Sequence, residues 1–167
     1  GKYLYLIEYE NRGGSRLIKL DMETGAYQWY GDRMYEADEG RPSNIVKIGD
    51  VLYVMRFERG LLYCYSDTNG ALLARVQIGS TKEEILHNRS VSNTIMTDGT
   101  ALYWAADKED IVKLDATAID CTKGWVIQIC PPVPLQLNAH WNGNRLADQQ
   151  LIEGILYLLA YSRNGSG

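Results

Sequence analysis

The chain has 167 residues, enough to bury one sizeable core, and its 46% hydrophobic and 23% charged residues fit a globular protein. A formal net charge of −4 argues against nucleic-acid binding and against attraction to an anionic membrane surface, since both need a basic face. The longest apolar run, Ile155–Ala160, is far short of the ~20 residues that cross a bilayer, so no membrane span is expected.

The aromatic residues are 12 Tyr and 4 Trp against a single Phe, a balance suited to half-buried pleated surfaces. Gly1-Lys2 leads straight into an apolar stretch, which reads as a processed product or a segment of something longer. In chain order, the first predicted strands are Tyr3–Tyr9, Arg16–Asp21 and, after a break at Thr24-Gly25, Ala26–Tyr30. Next come Asn44–Ile48, a turn at Gly49-Asp50, Val51–Met55, Leu61–Ser66, a break at Asn69-Gly70, and Ala71–Ile78. A single helical turn is expected at Lys82–Leu86, with Ser80-Thr81 as N-cap and Glu83 or Glu84 beside it. The third group is Thr94–Met96, Asp98-Gly99, the Leu102-Tyr103 run, Asp110–Asp115, a break at Lys123-Gly124, and Trp125–Cys130. Last come Gln150–Ile152, Glu153-Gly154 and Ile155–Tyr161.

These groups are copies of one unit. Leu-Tyr recurs as Leu4-Tyr5, Leu52-Tyr53, Leu102-Tyr103 and Leu156-Tyr157, at offsets of 48, 50 and 54 residues. A Gly-bearing turn before three of the four makes each a β-hairpin, and two more strands follow. Four antiparallel strands per period of about 50 residues is the pattern of a β-propeller blade. The continuous apolar runs Val51–Met55 and Ile155–Ala160 suit strands covered on both faces by neighbouring sheets. The expected fold is therefore all-β and β-propeller-like, with antiparallel four-stranded blades. About three blades plus partial strands make an incomplete ring. The blades fall near 1–31, 44–79, 91–130 and, partial, 150–162. The 13 predicted strands are fewer than the roughly sixteen of four full blades, so both ends should carry raw strand edges that invite pairing.

Within the first copy, Asp21–Trp29 (DMETGAYQW) follows RLIKL and resembles the tryptophan-docking repeat of quinoprotein-type (PQQ-like) β-propellers. The resemblance implies that Asp21, Thr24 and Gly25 shape the turn between third and fourth strands. It implies also that Trp29 docks on the neighbouring blade. The second copy keeps Asp67 and Gly70, with Asn69 for Thr and Ala74 where Trp would sit; the third keeps Asp115 and Gly124. A weaker likeness to olfactomedin-type propellers lies in QQLIEGILYLL and IVKLD, without the Asp-rich calcium segment of that family.

Little in the chain has the spacing of catalytic or metal chemistry. His87 and His140 lack further zinc-ligand partners at hairpin or helix spacing, and no Gly-x-Ser-x-Gly elbow occurs. The acidic clusters Asp32, Glu36, Asp38, Glu39 and Asp107, Glu109, Asp110 follow no calcium-loop pattern and read as solvated loops. Cys121 and Cys130 could close a small loop in an oxidising compartment; the favoured reading makes them and Cys64 small apolar strand residues. Asn88-Arg89-Ser90 and Asn164-Gly165-Ser166 are sequons that matter only in a glycosylating pathway.

The segments Gly31–Ser43, Gly79–Asn93 and Pro131–Gln149 join one unit to the next, and long loops on a rigid scaffold are where binding residues gather. In the last, Trp141, Asn142 and Arg145 are candidate partner contacts, equally readable as a loop covering a blade edge. The expectation is a non-catalytic module with no catalytic residues, cofactor or metal. It would bind a protein partner through inter-blade loops, or self-associate through exposed strand edges. The alternatives are a fragment of a PQQ-dependent oxidoreductase-type propeller and, from the Tyr and Trp content, a carbohydrate-binding surface.

Overall fold

The structure is a computed structural model that describes residues 2–9, 14–34, 42–88, 93–106, 110–135, 145–153 and 155–161. Strands β1 (Tyr3–Tyr9), β2 (Ser15–Asp21) and β3 (Tyr27–Met34) form a first antiparallel sheet. Strands β4 (Val46–Ile48), β5 (Val51–Arg56), β6 (Leu61–Ser66) and β7 (Leu72–Gln77) make the body of the second. A short helix α1 (Lys82–Asn88) leads to β8 (Met96–Thr97), β9 (Ala101–Ala106) and β10 (Asp110–Asp115) of the third. After a 3₁₀ turn at Ala116–Ala118 come β11 (Ile127–Ile129) and β12 (Val133–Leu135), then a separate hairpin of β13 (Arg145–Ile152) and β14 (Ile155–Tyr161). Among the described residues the fold is mostly β, with three largely antiparallel sheets of 3–5 strands and no closed ring.

One strand assignment needs correction. Residues 125–130 were expected to supply the fourth strand of the third unit, but β11 pairs in parallel with β7 and becomes the fifth strand of the second sheet. The fourth position of the third sheet belongs to β12, antiparallel to β10. Backbone bonds from Gly124 N–H to Leu73 O and from Cys130 N–H to Gln77 O extend the β7–β11 ladder. The outer edge of β7 offers unpaired backbone groups, and the passing chain satisfies them before it crosses to β10.

Two cores flank the second sheet. Leu52, Val54, Leu61, Tyr63 and Tyr65 point to one side and pack with Leu17 and Met34 of the first sheet. Tyr53, Met55, Leu62 and Cys64 point to the other and pack with Leu102, Trp104, Val112 and Leu114 of the third. This is the period-two alternation of a strand buried on both faces. A register shift between Cys64 and Tyr65 inverts the parity of β7, so that Leu72 joins the first core while Ala74 and Val76 join the second. The same expectation fails for the last run, where Ile155 and Tyr157 are exposed.

Helix α1 runs past the predicted turn to Asn88 because its start is well capped. Thr81 Oγ1 accepts from Glu84 N–H at 3.1 Å, and the Glu84 carboxylate accepts from Ser80 N–H at 2.7 Å. At its end the Asn88 side-chain amide donates to Ile78 O, and Asn88 O accepts from the buried Trp104 indole. The three cysteines are free: Cys64 lies in the core between second and third sheets, Cys121 and Cys130 pack against it, and burial pushes all three thiols up.

Candidate functional site

The densest polar constellation among the described residues lies where the first sheet meets the second, around Asp67. That residue follows β6, and its Oδ1 accepts from Lys19 Nζ of β2 at 2.7 Å and from Tyr5 OH of β1 at 2.6 Å. Lys47 of β4 bonds the other carboxylate oxygen. The Asp67 carbonyl accepts from Lys19 Nζ and from the Trp29 indole N–H, both at 2.9 Å. Lys19 and Asp67 side chains are only 10% and 11% exposed, so this is an ion pair shielded from water.

Trp29 rests on the turn that follows. Gly70 has φ +73°, and a Cβ added there would meet Trp29 Cε3 at 2.6 Å and Gly31 Cα at 2.7 Å. Asp32 completes the clamp: its N–H donates to Gly70 O at 3.0 Å, and its carboxylate accepts from Leu72 N–H at 2.8 Å. This carboxylate, grouped by sequence with a solvated acidic loop, holds the start of β7. Glu36, Asp38, Glu39, Asp107 and Glu109 lie outside the described residues.

The turn at Asp21 has its own geometry. Asp21 Oδ1 accepts from Glu23 and Thr24 N–H, while Gly25, at φ +69°, donates its N–H to Asp21 O. In the second sheet the matching bond runs from Gly70 N–H to Ser66 O, so Ser66, not Asp67, stands where Asp21 does. The shared Asp and Gly letters had suggested otherwise, but the separations differ by one residue. The freed Asp67 faces the first sheet and serves the junction instead. Asp115 and Gly124 form no such turn: Asp115 precedes the 3₁₀ segment, and Gly124 bonds Leu73 of the second sheet.

Burial pushes the Asp67 carboxyl up, but hydrogen bonds from Lys19, Lys47 and Tyr5 outweigh it and hold the pKa at about 2. A depressed carboxylate stabilises the fold fully above its unfolded pKa near 4, and that share is lost as pH falls through about 2. Urea unfolding between pH 5 and 2 should therefore show a loss of about 2 kcal/mol that Asp67→Asn lacks. One neighbour is less well served. Tyr65 is fully buried and its hydroxyl has no hydrogen-bond partner among the described residues. Tyr65→Phe should raise stability by about 1 kcal/mol, read as a higher urea midpoint.

Beside this junction lies an open cleft of about 510 Å³, lined by residues 3–7 of β1 and by Asn44, Ile45, Lys47 and Leu52 of the second sheet's rim. A second surface lies on the outer edges. The strap through β11 and β12 exposes Trp125, Val126, Ile127, Ile129 and Val133. Of the partner contacts expected from sequence, Trp141 and Asn142 lie outside the described residues, as does His140. Arg145 begins β13, paired in register with Tyr161. His87 is the last-turn basic residue of α1. No group of three or more His, Cys, Asp or Glu among the described residues is placed to hold a metal ion. No helix among them is long and apolar enough to cross a membrane.

No protein-family description matches the chain, and no curated protein matches it either. Solved structures do. BamB from Moraxella catarrhalis superposes with a TM-score of 0.54 at 16% identity, over 96% of this chain and 44% of BamB. A Kluyveromyces lactis protein, KlHsv2 with loop 6CD replaced by a Gly-Ser linker, gives a TM-score of 0.50 at 14% identity, over 92% of this chain and 48% of its own. Both are β-propellers, and this chain spans just under half the length of each. Its sheets are thus the fold of part of a β-propeller.

Proposed function

We propose that the chain is a non-catalytic β-propeller segment that acts as a protein-interaction or assembly scaffold through the connections between its sheets. The observation that carries this is the strap from β10 to β12. It leaves the third sheet, lines the outer edge of the second and returns, with Trp125, Ile127, Ile129 and Val133 turned to solvent. Apolar residues clustered along one connection are a contact surface, whereas singly scattered ones are ordinary. The Asp67 constellation supports the same reading, because every charged group in it is consumed in joining two sheets. Trp141 and Asn142, in the sequence between β12 and β13, and Arg145, the first residue of β13, are proposed contacts of the same kind. The repeat likeness adds Asp21, Thr24, Gly25 and Trp29 as the blade-docking motif.

The test is reconstitution with a purified partner identified by cross-linking. Ile129→Ser with Val133→Ser, both exposed positions, should weaken that complex at least tenfold without lowering the melting temperature. Saturable binding of pyrroloquinoline quinone with calcium, accompanied by alcohol oxidation, would replace this reading with the oxidoreductase one.

A further inference from the structure

The outer edge of β7 is covered from within the chain, and only lightly. There β11 makes three residue pairs, Ile127↔Arg75, Gln128↔Val76 and Ile129↔Gln77, with Gly124 N–H and Cys130 N–H donating to Leu73 O and Gln77 O at either end. Burial of the strand's own apolar residues does little to hold it, since Ile127 and Ile129 are 46% and 60% exposed. A few side chains supply the grip. Gln128 exchanges two hydrogen bonds of 2.9 Å with the Asp120 backbone, and the Arg75 guanidinium lies 5.7 Å from the Trp125 ring centroid. Cys121 and Cys130, both partly buried, bracket β11 and pack against the core cluster that holds Cys64. Cys130 Sγ also donates to Ala118 O at 3.6 Å. As the strap advances from Gln128 to Cys130 its partners retreat from Asp120 to Ala118, so Cys121 lies at the end of this contact away from Cys130. The loop disulfide between them, left open by the sequence, is not the chemistry this arrangement favours.

We infer that Cys121 and Cys130 form a thiol latch on the strap, and that mixed-disulfide formation at these two positions with a small disulfide of the glutathione class releases β11 from β7. The inference rests on the scaffold reading, whose contact surface is this same strap, and adds its regulation. The step is thiol–disulfide exchange. A cysteine thiolate attacks one sulfur of the small disulfide, whose S–S bond breaks as the new protein S–S bond forms. The departing thiolate takes up a proton from water, balancing the one the cysteine gave up. One protein sulfur is oxidised and one small-molecule sulfur is reduced. The thiolate is the attacking species, and burial keeps both thiols protonated while the strap is closed, so exchange proceeds from the opened strap. A three-pair ladder with exposed side chains belongs to the low-stability end of a fold, which makes that opening accessible. Once formed, a tripeptide adduct exceeds the space the thiols occupied against the core, and overpacking opposes reclosure. Cys64 is spared, because β6 is fully buried there and paired on both sides by β5 and β7.

The test treats the 167-residue chain with oxidised glutathione and reads it by mass spectrometry and amide hydrogen exchange. One adduct each is expected on Cys121 and Cys130, with Cys64 unmodified. The Gly124 and Cys130 amides, which donate to β7, should then exchange about tenfold faster or more, while those of β5 and β6 keep their protection. Dithiothreitol should reverse both changes. In the double variant Cys121→Ser with Cys130→Ser, glutathione should leave the exchange unaltered; if that variant fails to fold, reversal in the unsubstituted chain still decides. Adducts with unchanged protection, modification of Cys64 at the same rate, or no adduct at all would overturn the latch. So would an internal Cys121–Cys130 disulfide that raises protection, since oxidation would then lock the strap in place. Every readout is made without a partner, so failure here leaves the scaffold reading to the Ile129→Ser and Val133→Ser variants.

Discussion

Asp67→Ala is expected to destabilise the chain by about 3–4 kcal/mol, because it leaves the Lys19 ammonium buried without its carboxylate. Tyr5 OH and Lys47 lose the same partner, so first and second sheets part at their most polar point. The readout is a lower urea midpoint with an unchanged slope. Replacing both members of the pair, as Asp67→Leu with Lys19→Met, should recover most of the loss, since apolar groups fill such a site without desolvation cost. A loss below about 0.5 kcal/mol would place the pair among ordinary surface ion pairs.

Gly70→Ala is expected to cost about 3 kcal/mol, against about 1 kcal/mol for Gly25→Ala. Both glycines hold similar positive φ values, +73° and +69°, so the conformational term is shared. They differ in surroundings. Nothing lies within 4 Å of a Cβ at Gly25, whereas one at Gly70 meets the Trp29 ring and the Gly31 backbone. The gap between the two variants thus measures the close approach of the two sheets. Trp29→Ala should narrow it, and a double-mutant cycle on Trp29 and Gly70 should show strong non-additivity. Equal costs at the two glycines would mean that Trp29 does not rest on this turn.

Much of the fold was legible because hairpins are local. Ile48↔Val51 across Gly49-Asp50 and Ile152↔Ile155 across Glu153-Gly154 are pairings that alternation and turn residues dictate together. Sheet membership of β11 was not legible. A three-residue strand after an eleven-residue excursion joins whichever edge is open, and that edge belongs to residues 52 positions earlier. Asp67 was misread for a related reason: letter identity suggested a turn residue, while its role depends on Lys19, Lys47 and Tyr5 converging from three other strands. The exposed face at Ile155 and Tyr157 shows the converse. A continuous apolar run states that a strand is able to bury both faces, and only a neighbouring sheet decides whether it does.

The stacking of the first sheet on the second is most directly tested by the NMR resonances of Gly70. With the Trp29 ring over it, one Gly70 α-proton should lie far upfield of its random-coil position and show cross-peaks to the indole. An unshifted Gly70 with no contact to Trp29 would contradict the docking of these sheets, and with it the partial-propeller architecture on which the proposed surfaces depend.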